Sequence, residues 1–423
     1  MPVELSHVLL IVIVAASILL MLVRPKNLPE VWWVGPGALL LVVLRLVPLK
    51  TAGKAVAEGS DVYLFLIGMM LLSELAKENG VFDWLSTHAV LGAHGKRSRL
   101  FALMYAVGTV VTICMSNDAT AVVLTPAVLA AVKKAKVPPL PYLFACAMIA
   151  NAASFVLPIS NPANLVVFGA HMPPLGRWLA SFGVPSVLSI AATYLVLRWY
   201  FREELRDSIE CEPEATSLES NAKVVLAGLL LVIVVLLVAS GLGWQLGLPT
   251  CVASCVVVGI VSLIAKKSPL LMLKEISWST LLLVAALFVM VRAVEAIGAL
   301  DYAVAAMRWA THLPVVAGAF VVSFVVGVGN NVVNNLPLGL IAGATVQKAQ
   351  VQGVLSHAVL IGVDLGPNLS VTGSLATILW LLAIRKEGMH VSAWDFLKAG
   401  AIAMPVAMVA AVCGLLLMRY LGG

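Results

Sequence analysis

Long apolar runs, separated by short polar segments, recur from one end of this sequence to the other. The runs cover residues 7–23, 31–47, 64–75, 224–239, 251–265, 279–291 and 401–417. A helix of about 20 apolar residues crosses the roughly 30 Å hydrocarbon core of a bilayer, and several runs reach that length once their flanks are counted. The pattern therefore predicts an all-α polytopic membrane protein.

The apolar runs form two halves in which the same types of segment follow one another in the same order. The predicted first half, 1–201, has spans at about 7–23, 31–47, 61–76 and 178–200, an apolar pair at 100–115 and 120–132, and an interrupted segment at about 141–170. The predicted second half, 223–423, has spans at about 223–239, 248–265, 277–291 and 395–419, an apolar pair at 314–329 and 336–347, and an interrupted segment at about 354–384. An acidic linker, 202–222, joins the halves.

The apolar pairs predict two re-entrant hairpins, at about 100–133 and 314–347. As a helix, the stretch 119–132 would extend only about 21 Å, which is too short to cross a bilayer. The turn before it is Ser116-Asn117-Asp118, and the second pair surrounds Asn330-Asn331 and Asn334-Asn335. Because polar turns at membrane depth are tolerated only where protein or water surrounds them, we expect both hairpin tips inside the protein.

A half with five crossings and one hairpin reverses direction, so the second half would enter the membrane upside down, as in the inverted repeats of secondary transporters. The basic residues agree with this plan. With both termini on the outer (periplasmic) side and the linker in the cytoplasm, 19 of the 27 Lys and Arg residues are cytoplasmic, as the positive-inside rule expects. Arg24 and Lys26 follow the first span, the reverse of a secretory signal, so we expect it to be retained.

Composition supports the membrane assignment and excludes other classes. The 423 residues are 61% hydrophobic and 11% charged, whereas soluble domains carry about 25% charged residues. The net charge of +6 is explained by cytoplasmic loops, so we predict no nucleic-acid partner. No phosphate-binding loop, HExxH or GxSxG motif occurs, which predicts a secondary active transporter rather than an enzyme.

The six cysteines are scattered without a CxxC pair, so the sequence gives no indication of a disulfide framework. Cys251 and Cys255 are four residues apart on one predicted helix face, and Cys114 lies just before the first hairpin tip. These three are the candidate thiol ligands for a soft metalloid. Two thiols on one helix do not make a recognised metal site, and we predict no metal ion or cofactor.

The two interrupted segments are expected to unwind near their centres, because proline removes a backbone donor and clashes with the preceding turn. Pro158 and Pro162 interrupt the first segment, and Pro367 interrupts the second. Unwound carbonyls and the N-termini of half-helices are ready partners for ions and polar solutes. Both breaks are therefore candidate binding elements.

Polar residues occur at corresponding positions in the two halves. Residues 160–164 align with 373–377, and 117–118 align with 334–335 at a similar spacing, which predicts one pocket where two hairpin tips face two helix breaks. The predicted substrate-binding residues are Asn117, Asn161, Asn164, Asn334, Asn335, Thr372, Gly373, Ser374 and Thr377. For any single residue, packing of helices through amides and hydroxyls is the alternative. Four clusters at matching positions favour a pocket.

Asp118 and Asp364 are the ionisable members of these clusters. A carboxyl group inside a membrane is costly and marks a functional site by default. Because removal from water favours its neutral form, we predict both as proton-coupling residues. The alternative is structural, with each residue capping or bracing a helix end. Two other charged pairs are interpreted as structural ion pairs: Arg292–Glu295 and Glu74–Lys77.

Residues 117–126, 334–337 and 364–380 resemble the arsenite/antimonite efflux permeases of the ArsB type, members of the ion transporter superfamily. The resemblance follows the order of elements along nearly the whole chain, and 364–380 is its most family-specific part. It implies export of trivalent arsenic or antimony hydroxide across the inner (cytoplasmic) membrane, driven by the proton gradient or by a soluble ATPase on the cytoplasmic side. Sodium-coupled relatives carry Ser-Asn-Thr at the hairpin tip; here Asp118 follows Ser116-Asn117, which favours protons.

We therefore expect a transporter, embedded in the lipid bilayer, that exports neutral arsenite or antimonite in exchange for protons by alternating access. Amides and hydroxyls can donate to and accept from the OH groups of arsenous acid, and no Lys or Arg lies in the four clusters. The alternatives are a sodium/proton antiporter or silicic-acid-type exporter on the same scaffold, and the channel subunit of an ATPase-driven arsenite pump. Lipid-facing and subunit-facing surfaces look alike in a sequence, so no oligomeric state is predicted.

Overall fold

The computed structural model describes residues 3–209, 218, 220–266, 268 and 270–422, and within them the chain is helical without a β-strand. By length and composition, eight of the described helices can cross a membrane, and one bent pair of helices makes a ninth. The all-α polytopic fold predicted from the apolar runs is confirmed.

Ten α-helices are described in the first half. They are α1 (Val3–Val23), α2 (Val31–Val43), α3 (Leu49–Glu58), α4 (Ser60–Glu78), α5 (Val81–Gly92), α6 (Arg97–Cys114), α7 (Thr125–Lys134), α8 (Leu140–Ala152), α9 (Pro162–Phe168) and α10 (Leu175–Tyr200). A π-helical turn, Ala119–Leu124, leads into α7. It forms where Pro126 lacks a backbone N–H, and the N–H of Thr125 reaches the Thr120 carbonyl.

Ten α-helices are described in the second half. They are α11 (Ser220–Gly241), α12 (Gly247–Ala265), α13 (Leu270–Glu275), α14 (Trp278–Ala296), α15 (Leu300–Thr311), α16 (Val315–Val333), α17 (Asn335–Ala349), α18 (Val354–Leu365), α19 (Leu375–Lys386) and α20 (Ala393–Gly422). Two 3-10 turns, Gly366–Leu369 and Val371–Gly373, separate α18 from α19, and Pro158–Ser160 forms a 3-10 turn before α9. Both interrupted segments are therefore unwound at their centres.

The helices of the two halves contact each other reciprocally. Helix α2 packs on α14 while α4 packs on α12, and α10 packs on α20. Reciprocal contacts of this kind are expected when two similar halves are related by a pseudo-twofold axis. The inversion of one half relative to the membrane stays a prediction.

Several details differ from the predicted spans. Helix α2 ends at Val43 rather than at residue 47, because the following residues turn and Arg45 adopts a φ of 56°. Helices α5 and α15, between the third span and the hairpin of each half, are absent from the sequence prediction. The first arms of the two predicted hairpins, α6 and α16, are by length and composition able to cross a membrane, so the re-entrant form of these hairpins stays a prediction.

The described start of the acidic linker is held against the loop between α5 and α6. Arg97 forms an ion pair of 3.0 Å with Asp207, and the N–H of Ile209 donates to the Gly95 carbonyl at 2.8 Å. The linker residues Glu210, Glu212, Glu214 and Glu219 lie outside the described residues.

Candidate functional site

The N-termini of four half-helices meet around one small cavity, which we call the central cavity. The elements that begin there are the π-helical turn before α7, α9, α17 and α19, and the cavity wall includes Asn117, Asp118, Asn161, Asn335, Leu375 and Thr280. Two of these elements belong to the hairpin tips and two to the helix breaks. Because an α-helix carries partial positive charge at its N-terminus, the four ends concentrate positive potential at this point.

Each of the four N-termini is capped by a polar side chain. The Asn161 side-chain oxygen accepts from the N–H of Ala163 at 3.0 Å, and the Ser374 hydroxyl accepts from the N–H of Thr377 at 3.1 Å. Ser116 accepts from the N–H of Ala119 at 3.3 Å, and Asn334 accepts weakly from the N–H of Leu336 at 3.5 Å. The caps fix the direction of each half-helix toward the cavity.

Two amides of the hairpin tips carry unused hydrogen-bonding capacity. Asn117 and Asn335 are 2% and 3% exposed, and the side-chain oxygen of each is buried without a partner among the described residues. Both residues line the central cavity. An unpaired buried carbonyl oxygen is costly, so these amides are suited to bind a solute that donates hydrogen bonds.

Asp118 lies at the mouth of the central cavity. It is half-buried, and among the described residues no group hydrogen-bonds to its carboxylate. It also lines a second cavity of about 190 Å³, which we call the inner vestibule because its rim residues, Glu74 and Glu275, lie on the predicted cytoplasmic side. Five residues line both cavities and form the neck between them: Leu66, Asp118, Pro162, Thr280 and Leu375.

A third cavity, the outer vestibule, lies on the predicted outer side. It measures about 670 Å³, and its wall includes Glu58, Arg292 and Lys348. Within the described part of the chain it shares no lining residue with the central cavity. The central cavity itself measures about 10 Å³, roughly the smallest volume that admits one water molecule. The central cavity therefore adjoins the inner vestibule at the neck, and no described residue lines both it and the outer vestibule.

Asp364 lies behind the cavity wall. It is fully buried, and its Oδ1 accepts a hydrogen bond of 2.9 Å from the Asn161 side-chain amide, while Oδ2 has no partner among the described residues. Asp364 does not line the central cavity. Of the two predicted proton-coupling residues, the structure places Asp118 at the cavity and Asp364 next to a residue that lines it.

Asn164 braces the first helix break instead of facing the cavity. Its amide nitrogen donates to the carbonyls of Ser154, Leu157 and Pro158 at 2.9, 3.2 and 3.3 Å. Because the chain is unwound there, these carbonyls lie outside a regular helix and the Asn164 amide supplies a donor to each. The Leu157 carbonyl also accepts from the backbone N–H of Ser160 at 3.0 Å. The same amide type that lines the cavity at Asn161 is thus structural three residues later.

The second helix break is held from the hairpin tip. The Asn334 amide donates to the Thr372 carbonyl at 3.1 Å, and the Thr372 hydroxyl donates to the Asn331 carbonyl at 3.0 Å. Asn334 adopts a φ of 79°, which is rare for a residue with a side chain and often occurs at functional sites. A Cβ added at Gly373 would lie 2.5 Å from the Pro367 Cα, so the close approach of these two backbone segments requires glycine.

A polar cluster joins the two breaks across the halves. The Asn151 amide nitrogen donates to Asn368 at 2.9 Å and, at the 3.5 Å limit, to the Thr377 hydroxyl, and its oxygen accepts from Ser374 at 3.4 Å. Ser374 and Thr377 are therefore occupied by capping and by this cluster. Neither lines the central cavity.

Thr280 and Leu66 are cavity residues that the sequence reasoning missed. They come from α14 and α4, which are ordinary apolar spans. The Thr280 hydroxyl lies 2.8 Å from that of Ser277. In the sequence, the only indication that Thr280 could line a cavity is the pair of hydroxyl residues near the start of α14. Polar residues are common at the ends of membrane spans, so this pair does not identify a cavity residue.

The remaining candidates lie away from the central cavity. Cys114 and Cys251 are half-buried and Cys255 is exposed, and the described residues contain no group of three His, Cys, Asp or Glu side chains able to hold a metal ion. Two predicted ion pairs are present, Glu74–Lys77 at 2.9 Å and Arg292–Glu295 at 2.6 Å. Arg292 also reaches Glu58 on α3 at 2.7 Å.

Comparisons with known proteins place this architecture among transporters. A family model described as citrate transporter (CitMHS) matches residues 8–363. The arsenical pump membrane protein of Escherichia coli (strain K12) is 27% identical over 415 residues, covering 93% of this chain and 95% of that protein. The arsenical pump membrane protein of Yersinia enterocolitica is 28% identical over 360 residues, covering 81% and 83%. The crystal structure of the Alcanivorax borkumensis YdaH transporter shares the fold, with a TM-score of 0.59 and 14% identity over 88% of this chain and 87% of that chain.

Proposed function

This chain belongs to the citrate transporter (CitMHS) family and is a multi-pass membrane transporter, and we propose that it exports arsenite or antimonite from the cytoplasm in exchange for protons. The names of the curated relatives, arsenical pump membrane proteins, support the choice of solute. The proposed location is the inner membrane, with both termini outside and the linker 202–222 in the cytoplasm.

The chemistry of the central cavity carries this proposal. Among the described residues, its polar wall consists of the amides Asn117, Asn161 and Asn335, the Thr280 hydroxyl and the Asp118 carboxyl, with no Lys or Arg. Arsenous acid is neutral near pH 7 and carries OH groups that donate and accept hydrogen bonds. The unpaired oxygens of Asn117 and Asn335 accept from these OH groups, which satisfies two buried acceptors.

An organic anion is the second candidate, because four helix N-termini favour negative charge and the family model is described as a citrate transporter. Asp118 opposes it, since a second carboxylate in the same cavity is repelled. The small volume of the central cavity also favours a solute much smaller than citrate. Uptake of citrate, unaffected by arsenite, would select this second candidate.

Alternating access is supported by the two vestibules. In the present conformation the central cavity adjoins the inner vestibule through the neck, and it is separated from the outer vestibule. Binding of arsenite requires the cavity to expand from about 10 Å³. A movement of the hairpin tips that closes the neck and opens the path beside α9 and α17 would expose the same residues to the outer side.

Everted membrane vesicles test the proposed exchange, because export then appears as uptake. Wild-type protein is expected to accumulate arsenite when the vesicle interior is acidic. Asp118→Asn is expected to abolish the pH-driven part, since it removes the carboxyl at the neck. Glu74→Gln, which removes a carboxyl of the inner vestibule that already pairs with Lys77, is the matched control and is expected to retain it.

The outcomes separate the alternatives. Undiminished pH-driven arsenite uptake by Asp118→Asn would show the proton assignment to be wrong. Uptake that depends on sodium and ignores arsenite would favour a sodium/proton antiporter. Uptake that survives a collapsed proton gradient but requires ATP would favour a channel driven by a soluble ATPase.

A further inference from the structure

The two carboxyl groups of the polar clusters have different surroundings. Asp118 lines the central cavity and the inner vestibule and has no hydrogen-bond partner among the described residues. Asp364 lines neither cavity, is fully buried, and accepts from the amide of Asn161. A group that exchanges protons needs a route to water, and of these two described carboxyls only Asp118 lines a cavity.

The corresponding residue of the other half clarifies what Asp364 does. The register that aligns Asn161 with Ser374 also aligns Asn151 with Asp364. Asn151 accepts from Ser374, just as Asp364 accepts from Asn161. Each of these two residues therefore holds the side chain that caps the half-helix of the opposite half. In the first half the residue in this role is an amide, Asn151, so the contact requires an acceptor oxygen and not a charge.

The contact made by Asp364 fixes the direction of the Asn161 amide. Asn161 donates through its nitrogen to Asp364 and accepts through its oxygen from Ala163. Without Asp364 the amide could turn over, which would remove the cap of α9 and change the group presented to the cavity. Asp364 thus controls a cavity residue without touching the cavity.

We infer that Asp118 is the one carboxyl of this pair that exchanges protons, and that Asp364 is a positioning residue that orients Asn161. This inference rests on the proposed exchange of arsenite for protons and divides the roles within it. It predicts that the solute and the proton meet at a single carboxyl in the neck.

The other charged groups near Asp118 lie on the inner vestibule. They are Glu74 on α4, which pairs with Lys77, and Glu275 at the end of α13. Among the described residues, α6, α8, α19 and the π-helical turn contribute no Asp, Glu, His, Lys or Arg to the lining of either cavity that Asp118 faces. Glu74→Gln and Glu275→Gln are therefore the controls for any pH effect assigned to Asp118.

Infrared difference spectra between acid and neutral pH, recorded on the purified full-length protein without solute, test the division directly. A carboxyl band that titrates in wild-type protein is expected to vanish in Asp118→Asn. The band is expected to persist in Asp364→Asn and in both vestibule controls. Loss of the band in Asp364→Asn together with its persistence in Asp118→Asn would overturn the inference.

Binding of arsenite tests the positioning role. Asp364→Ala is expected to weaken binding about tenfold, the effect of one lost buried hydrogen bond, while Asp364→Asn restores affinity to within about threefold because it keeps the acceptor oxygen. Equal loss in both variants would overturn the role assigned to Asp364. If wild-type protein binds arsenite without releasing a proton, the proposed exchange of arsenite for protons is wrong. The infrared spectra still decide which of the two carboxyls titrates, because they are recorded without arsenite.

Discussion

The brace at Asn164 gives a prediction that separates structural from solute-binding amides. Its side chain donates to three carbonyls of the unwound segment, at distances from 2.9 to 3.3 Å, and it is fully buried. Asn164→Ala leaves these carbonyls without that donor. Asn117→Ala is the matched comparison, because Asn117 lines the central cavity whereas Asn164 does not, and the side-chain oxygen of each has no partner among the described residues.

The expected loss of stability in Asn164→Ala follows from the number of hydrogen bonds that the Asn164 side chain donates. An amide has two N–H groups, so the three contacts amount to two full hydrogen bonds, one of them shared. Buried hydrogen bonds in membrane proteins average about 0.6 kcal/mol and reach about 1.7 kcal/mol, and an unsatisfied buried carbonyl adds about 1 kcal/mol or more. Asn164→Ala is therefore expected to lower the free energy of unfolding by about 1 to 3 kcal/mol. Asn117→Ala is expected to leave it unchanged or slightly raised.

Unfolding in detergent, followed by circular dichroism and tryptophan fluorescence, measures the stability of both variants, and calorimetry measures arsenite binding. We expect the two variants to have opposite effects. Asn164→Ala should lower stability and keep measurable arsenite binding, whereas Asn117→Ala should keep stability and lose arsenite binding. If Asn164→Ala were as stable as wild type and unable to bind arsenite, Asn164 would be a ligand and the brace would be wrong.

Two further substitutions test the packing and the neck. A Cβ at Gly343 would lie 2.6 Å from the Val167 carbonyl oxygen, so Gly343→Ala should push α17 from α9, lower the free energy of unfolding by about 1 to 3 kcal/mol and slow vesicle uptake. Gly176→Ala is the control, because a Cβ there would meet nothing within 4 Å among the described residues; equal effects of the two variants would contradict the close approach of α17 and α9. Thr280→Val keeps the side-chain shape but removes a hydroxyl from the neck, so arsenite affinity should fall by about two- to tenfold, with unchanged calorimetric affinity as the contrary result.

Much of the fold could be predicted, because the chain's apolar runs are long and its breaks carry proline. The runs at 61–76 and 277–291 predict α4 and α14 closely. Helices α5 and α15 were missed because each is short and carries polar and charged residues, such as Asp83 and Arg308, so neither has the composition of a span. Hydropathy identifies helices that contact lipid along their length. Short helices with polar and charged faces, such as α5 and α15, do not have such contact, so hydropathy does not identify them.

The candidate site could be predicted only as a set of clusters. Asn161 and Asn164 have the same chemistry and lie three residues apart, yet one lines the cavity and the other braces the break. Which side chain faces inward depends on where the unwound segment ends, and composition does not specify that point. Thr280 was missed because its proximity to Asp118 results from packing between the two halves, which leaves no local signal in the sequence.

Calorimetry of arsenite binding to the purified protein, across pH and in buffers of different ionisation enthalpy, measures both solute binding and proton release at the central cavity. We expect wild-type protein to bind arsenite with release of a proton, and Asn117→Ala and Asn335→Ala each to lose binding. Absence of arsenite binding, or binding that persists in both variants, would contradict the claim that the cavity at the four helix N-termini is the arsenite site.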